Sequence, residues 1–275
     1  GPSKTLASPL ALSYSWGTGF VLLIALSLGL NLYADPHALF GGHRFPSTTA
    51  GARLAKTELY GRSDAGPDIV ILGSSRAFTL SPEYIEKKMG YRVFNMSVDR
   101  GRVADFTVQL NFMLDSGSIP RVLVLEIGQD TFYDDYLNSN LQPRSLFPYM
   151  SANMFVPVAN DILREALAVQ SLSDSAYLLT APDLEDRLRT WTFEADGMGV
   201  RRPLTHNQYL ALLSDSIERK LPTLLCPSPQ STAKQMLQDA IELAEVNKIA
   251  VLLYQSPLHP LLIKTAFDKN PAAFE

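Results

Sequence analysis

A serine hydroxyl becomes a nucleophile only where a base can take its proton and where donors await the negative oxygen that forms. The sequence sets residues of these types at the ends of short apolar runs. Gly73-Ser74-Ser75 follows Ile69–Leu72, Asn95 to Gly101 follows Arg92-Val93-Phe94, and Gly128-Gln129-Asp130 follows Val122–Ile127. A fourth run, Ile249–Tyr254, leads into Gln255-Ser256-Pro257-Leu258-His259-Pro260. Ser74 or Ser75 as nucleophile and His259 as base would make an acyl-transfer site. The plainer alternative is a Gly-Ser-Ser turn whose hydroxyls cap the backbone, with an ordinary loop histidine between two prolines. Which reading holds depends on whether the fold brings the four ends together.

The intervening segments are of the kind that would. Each apolar run is short and rich in Val, Ile and Leu, the pattern of strands buried on both faces of a parallel sheet. Between them lie helical patterns: Ser81–Met89, with Ser81 as cap and Pro82 at the first position, then Val103–Leu114, then Ser228 or Ser231 to about Asn247. Strand and helix alternate, which predicts an α/β fold with a mostly parallel sheet of about five strands. In such a sheet all strands end on one rim, where open α/β folds place their chemistry. Residues 133–200 interrupt the rhythm with Pro143, Pro148 and a helical stretch at 158–167, and predict a helical insertion over one edge of the sheet.

The chain has 275 residues, 46% hydrophobic, with a formal net charge of −4, enough for one full-sized domain after the N-terminus. With a pI of about 5.6 there is no basic footprint for nucleic acid. Cys226 is the single cysteine, and His37, His43 and His206 lack metal-ligand spacing. No phosphate-binding glycine loop with a following lysine is present. Neither a cofactor nor a metal is expected. No charge falls between Lys4 and Asp35, Gly17–Leu30 is almost wholly apolar, and Trp16 and Tyr33 bracket it. Its length favours a membrane anchor over a cleaved signal peptide. The expected organisation is a tail at 1–15, an anchor at 16–34, a Gly/Pro-containing linker or stalk at 35–67, and the α/β domain at 68–275. The basic residues flanking the anchor do not orient it by charge.

Taken in order, these blocks resemble the SGNH (GDSL-type) hydrolases over about Asp68 to Pro260. The resemblance makes Ser75 the nucleophile of the first block and His259 the base of the last. Asn95 to Gly101 is similar to the second block, whose final glycine, here Gly101, gives an oxyanion-hole amide beside that of Ser75. Gly128-Gln129-Asp130 is similar to the third block, Gly-x-Asn. The implied architecture is a three-layer α/β/α domain. The anchored bacterial branch, which includes the D-alanyl transfer protein of teichoic acid synthesis and the alginate acetylation proteins, is the nearest in pattern. That branch implies an extracytoplasmic (periplasmic) domain on a single-pass helix at the cytoplasmic membrane. It also implies a polysaccharide or acylated-carrier substrate and a multi-spanning O-acyltransferase or polysaccharide-synthesis complex as partner.

Two departures shape the expected function. Asp130 stands where the family has an Asn donor, and a carboxylate cannot donate to an oxyanion unless protonated. Ser256 stands three residues before His259, where the family has Asp, which leaves a Ser–His dyad. The resemblance thus implies a serine acyltransferase or esterase acting on a cell-surface or exopolysaccharide hydroxyl. The other reading is a catalytically impaired subunit that binds glycan or assembles a synthesis or secretion complex. Arg76 has two readings, cover for an anionic substrate or a surface ion pair. The cluster of Trp191, Phe193 and Asp196-Gly197 suits either stacking on a sugar ring or plain packing.

Overall fold

The structure, a computed structural model, describes residues 9–36, 39–40, 52–63, 66–99, 101–128, 143–180, 191–201, 231–256, 264–265 and 268. Its centre is a parallel sheet. Strands β1 (Ile69–Leu72), β2 (Val93–Asn95) and β3 (Val122–Ile127) are followed by an antiparallel hairpin, β4 (Trp191–Phe193) and β5 (Gly199–Arg201), and then by β6 (Ala250–Gln255). The sheet order is β2-β1-β3-β6, all neighbours parallel, with the hairpin as a separate pair. The four expected strands are therefore present, and among the described residues the main sheet has four strands where about five were expected.

The side-chain period of two divides each strand between two apolar layers. Val70, Leu72, Leu123 and Leu125 join Phe94, Phe106, Leu110, Met113, Ala240 and Ala244 on one face. Of the residues they join, Phe94 belongs to β2, and the others come from helices α4 (Val103–Asp115) and α7 (Ser231–Val246), which also pack on each other. Ile69, Ile71 and Val93 face the other way, against Ala77, Leu80 and Ile85. Ile85 belongs to α3 (Pro82–Met89), which starts as its sequence predicts: the Ser81 side chain accepts the Tyr84 amide at 3.1 Å. At the open end of the sheet, Leu252 and Leu253 of β6 are 57% and 43% exposed.

The N-terminal helix α1 (Pro9–Ala34) includes an apolar stretch, Trp16–Ala34, long enough to cross a membrane. It ends where Asp35 takes a left-handed φ of 42° and its carboxylate accepts the Leu39 and Phe40 amides. One expectation changes here. The stretch read as linker contains helix α2 (Ala52–Gly61), whose Arg53, Lys56 and Tyr60 are buried in the domain. The glycines, Pro46 and the Ser-Thr run suggested a tether, and the cations of α2, which turn out to be internal, gave no apolar stripe to set against it. The insertion contains a 3₁₀ turn (Arg144–Tyr149) and helices α5 (Ala152–Leu167) and α6 (Val169–Thr180). Leu146 and Met154 pack on α4, while α5 and α6 contact α1.

Candidate active site

The strand order reverses between β1 and β3: from β1 the chain goes to β2 on one side, then returns to β3 on the other. Such a switch point opens a crevice at the carboxyl ends of the strands. The turn carrying Ser74 and Ser75 leaves β1 at this point, and Glu126 lies near the end of β3 beside it.

Glu126 organises the rim. It is 2% exposed, and its carboxylate accepts four hydrogen bonds. The Ser74 amide and hydroxyl donate to Oε2 at 2.6 and 2.8 Å. Arg76 Nε donates to Oε1 at 2.8 Å, and the Ser256 hydroxyl to Oε1 at 2.5 Å. One carboxylate thus joins the turn after β1 to the residue that follows β6. A buried charge is tolerated only when so paired and hydrogen-bonded. Arg76 is consequently part of a half-buried ion pair, and its surface-pair reading is corrected. Across from Glu126 in the β3–β6 register lies Tyr254. Burial, reinforced by the Glu126 charge, pushes its phenol up to about 12 against an opposing effect of Arg76.

Ser75, next to the locked Ser74, is partly exposed, and among the described residues no hydrogen bond engages its hydroxyl. Its turn is braced from the β2 side. Asn95 is fully buried, and its Nδ2 donates to the carbonyls of Ala77, Phe78 and Leu80 at 2.7, 3.2 and 3.0 Å. Asn95 Oδ1 accepts the Ser97 amide at 3.1 Å. Val98 donates its amide to Gly73 O at 2.9 Å, so the second block is bound directly to the first. Gly101 completes this contact. A Cβ there would stand 2.0 Å from Gly73 O, so only glycine allows the approach. Its amide, expected to face an oxyanion, instead donates to Val98 O at 3.0 Å.

Lys56 supports the same corner from below. It is fully buried, and its ammonium donates to Asn95 O at 2.6 Å and to Gly197 O. It lies 5.1 Å from the Phe78 ring centre and 4.7 Å from that of Phe193, both within cation–π range. Burial pushes the Lys56 pKa well below its ordinary range, with Asp196 opposing. Gly197, at φ 80°, would bring a Cβ within 2.3 Å of Asn95 O; the hairpin tip docks on β2 because it is glycine. Phe193 meets Phe78 edge to face at 5.4 Å, which is packing rather than an open sugar platform. Beside Lys56, Arg53 forms a buried two-pronged pair with Asp105 at 2.7 and 2.9 Å. Burial works against the Arg53 charge, but Asp105 and, less directly, Asp99 outweigh it and hold the guanidinium above its usual range.

Of the residues singled out in the sequence, Ser75, Arg76, Asn95, Gly101 and Ser256 gather at this rim. Asp130, His259 and the Trp191 side chain lie outside the described residues. Glu126, Lys56 and Arg53 were missed. Glu126 had a signal, being the one charge in a strand of Val, Leu and Ile. It also revises the account of Ser256, which was expected to stand where a carboxylate would be absent and instead donates to one from β3. The chain matches no family model, no curated protein and no solved structure.

Proposed function

We propose that this chain is an SGNH-type, three-layer α/β/α serine acyltransferase or esterase, held at a membrane by α1 with its domain extracytoplasmic. The observation that carries the reading is the Ser75 turn: a partly exposed serine at the switch point of a parallel sheet, on a turn braced by the buried Glu126 and Asn95. Ser75 Oγ would attack the carbonyl carbon of an acyl donor while His259 takes the hydroxyl proton. Collapse of the tetrahedral intermediate breaks the bond to the donor oxygen, which receives that proton and leaves. A polysaccharide hydroxyl, or water, then attacks the acyl-serine; His259 takes its proton and returns it to Ser75 Oγ. The Ser75 amide would hold the oxyanion, joined by Gly101 once its turn releases the amide from Val98. Ser256, held by Glu126, would orient the base in place of the aspartate of related sites.

A second reading is favoured by that same Gly101 amide, which is already committed to Val98 O. With that donor occupied, the oxyanion hole is incomplete, and the chain would be a binding or assembly subunit of a polysaccharide complex. Labelling the full chain with a fluorophosphonate probe, followed by peptide mass spectrometry, separates the two. The enzyme reading expects a mark on Ser75 that is lost in Ser75→Ala and fades in His259→Ala. A folded protein that takes no mark overturns the covalent mechanism and leaves the assembly role.

A further inference from the structure

We propose that the turn joining α5 to α6 rides in the membrane–water boundary, its exposed apolar side chains seated among the lipid headgroups. The inference rests on α1 crossing a membrane, as in the reading above, and adds a second contact with the bilayer that the anchor alone does not imply.

The argument is one of depth. The apolar stretch Trp16–Ala34 has 19 residues, which at about 1.5 Å per residue rises about 28 Å, close to the about 30 Å of hydrocarbon in a bilayer. Its domain-side end therefore reaches the boundary near Tyr33 and Ala34, with Asn31 within one helical turn of it. Asn31 is 2% exposed and fixed to the insertion from both sides. Its Nδ2 donates to Ala166 O at 2.7 Å, and its Oδ1 accepts from the Ser175 hydroxyl at 2.8 Å. These bonds set the end of α5 and the middle of α6 level with Asn31. The small residues Ser171 and Ser175 are both buried and let the helices approach closely. Further along, Asp35 closes α1.

The side chains next to this level are not those of a water-facing turn. Val169 is 82% exposed, Leu163 55% and Leu167 46%. Leu163 and Leu167 are one helical turn apart and so share a face, and Val169 begins the following helix. On α1 itself, Leu32 and Tyr33 remain exposed at the same height, and Phe20 to Leu26 below them are exposed as a lipid-facing helix requires. An exposed apolar patch continuous with a membrane helix is in place to insert into the boundary layer. The apolar turn and the anchor would together fix the tilt of the domain over the bilayer.

The test places nitroxide labels on the full chain in nanodiscs of phosphatidylethanolamine and phosphatidylglycerol. Cys226→Ser provides the background, and Leu23→Cys, Leu167→Cys, Val169→Cys and Tyr84→Cys are read by collisional accessibility. Leu23 reports the hydrocarbon, and Tyr84, 64% exposed on α3, reports water. At positions 167 and 169 the oxygen-to-nickel accessibility ratio is expected to be several-fold above that at 84, and below that at 23. If 167 and 169 match Tyr84 while Leu23 reads as hydrocarbon, the proposal is overturned and the patch is left to a protein partner. If Leu23 itself reads as water, the membrane-spanning reading of α1 fails and the proposal falls with it.

Discussion

Glu126 changes what Ser256 means. In the sequence, a serine where the resemblance leads one to expect aspartate reads as a loss, because the imidazolium would lack a carboxylate. In the fold, the Ser256 hydroxyl donates to Glu126 at 2.5 Å. An aspartate there would set two carboxylates against each other in a buried site, where like charges cannot both ionise at low cost. Ser256→Asp is therefore expected to weaken the protein, not to restore a triad. The loss should be about 3 kcal/mol near neutral pH. One of the two carboxyls must hold a proton, so its folded-state pKa is raised, and the penalty should shrink as pH falls below that value. Urea unfolding of both proteins at pH 5 and pH 8 checks this; a variant as stable as the parent at pH 8 would contradict it. The charge of Glu126 in an apolar strand was readable. Its partners were not, since they follow from the pairing of β3 with β6 and from the turn after β1.

At the scale of elements, α2 and the β4–β5 hairpin carry the lesson. Arg53, Lys56 and Tyr60 are spaced three and four apart and so lie on one helix face. Two of the three are cations, and a charged stripe reads as solvent-facing. Their acceptors, Asp105, Asn95 O and Gly197 O, are scattered from 95 to 197, and no local pattern announces them. By contrast, α3 was legible to its cap because Ser81-Pro82 is a local signal. Lys56 also gives a pH signature. Its folded pKa is well below the ordinary 10.5, so between the two values the unfolded chain binds more protons than the folded one. Stability then rises with pH across that window. Lys56→Met should lack this rise, and near neutral pH should lose about 1–3 kcal/mol for each buried carbonyl left unpaired. Thermal unfolding of the full chain and the variant in detergent, from pH 7 to pH 10, measures both effects. Parallel curves would rule out a titrating Lys56.

For the whole molecule, the alternation of strand and helix was enough to give the α/β class, the parallel sheet and the rim on which the site residues meet. It did not give the relation of the domain to α1. Gly41-Gly42, Pro46 and Ser47-Thr48-Thr49 have the composition of a tether, yet the chain on either side of them is pinned. Asn31 ties the end of α1 to the insertion, Leu39 O accepts the Arg144 amide at 2.8 Å, and α2 is locked into the core beneath the Ser75 turn.

The burial of α2 has a practical corollary for where the polypeptide can be shortened. A soluble version begun at Asp68, where the alternating rhythm starts, would discard Arg53, Lys56 and Tyr60 together. Asp105 would be left without its guanidinium, the Asn95 carbonyl without its ammonium, and the main apolar cluster without the Tyr60 ring that meets Phe94 at 5.2 Å. Removing one partner of a buried ion pair alone costs about 3–5 kcal/mol, a large share of a domain's stability. Such a fragment is expected to be recovered aggregated or molten, whereas one begun between Pro36 and Ala52 should unfold cooperatively. Gel filtration and near-ultraviolet circular dichroism of the two fragments would tell them apart, and a well-folded product starting at Asp68 would show that α2 is dispensable.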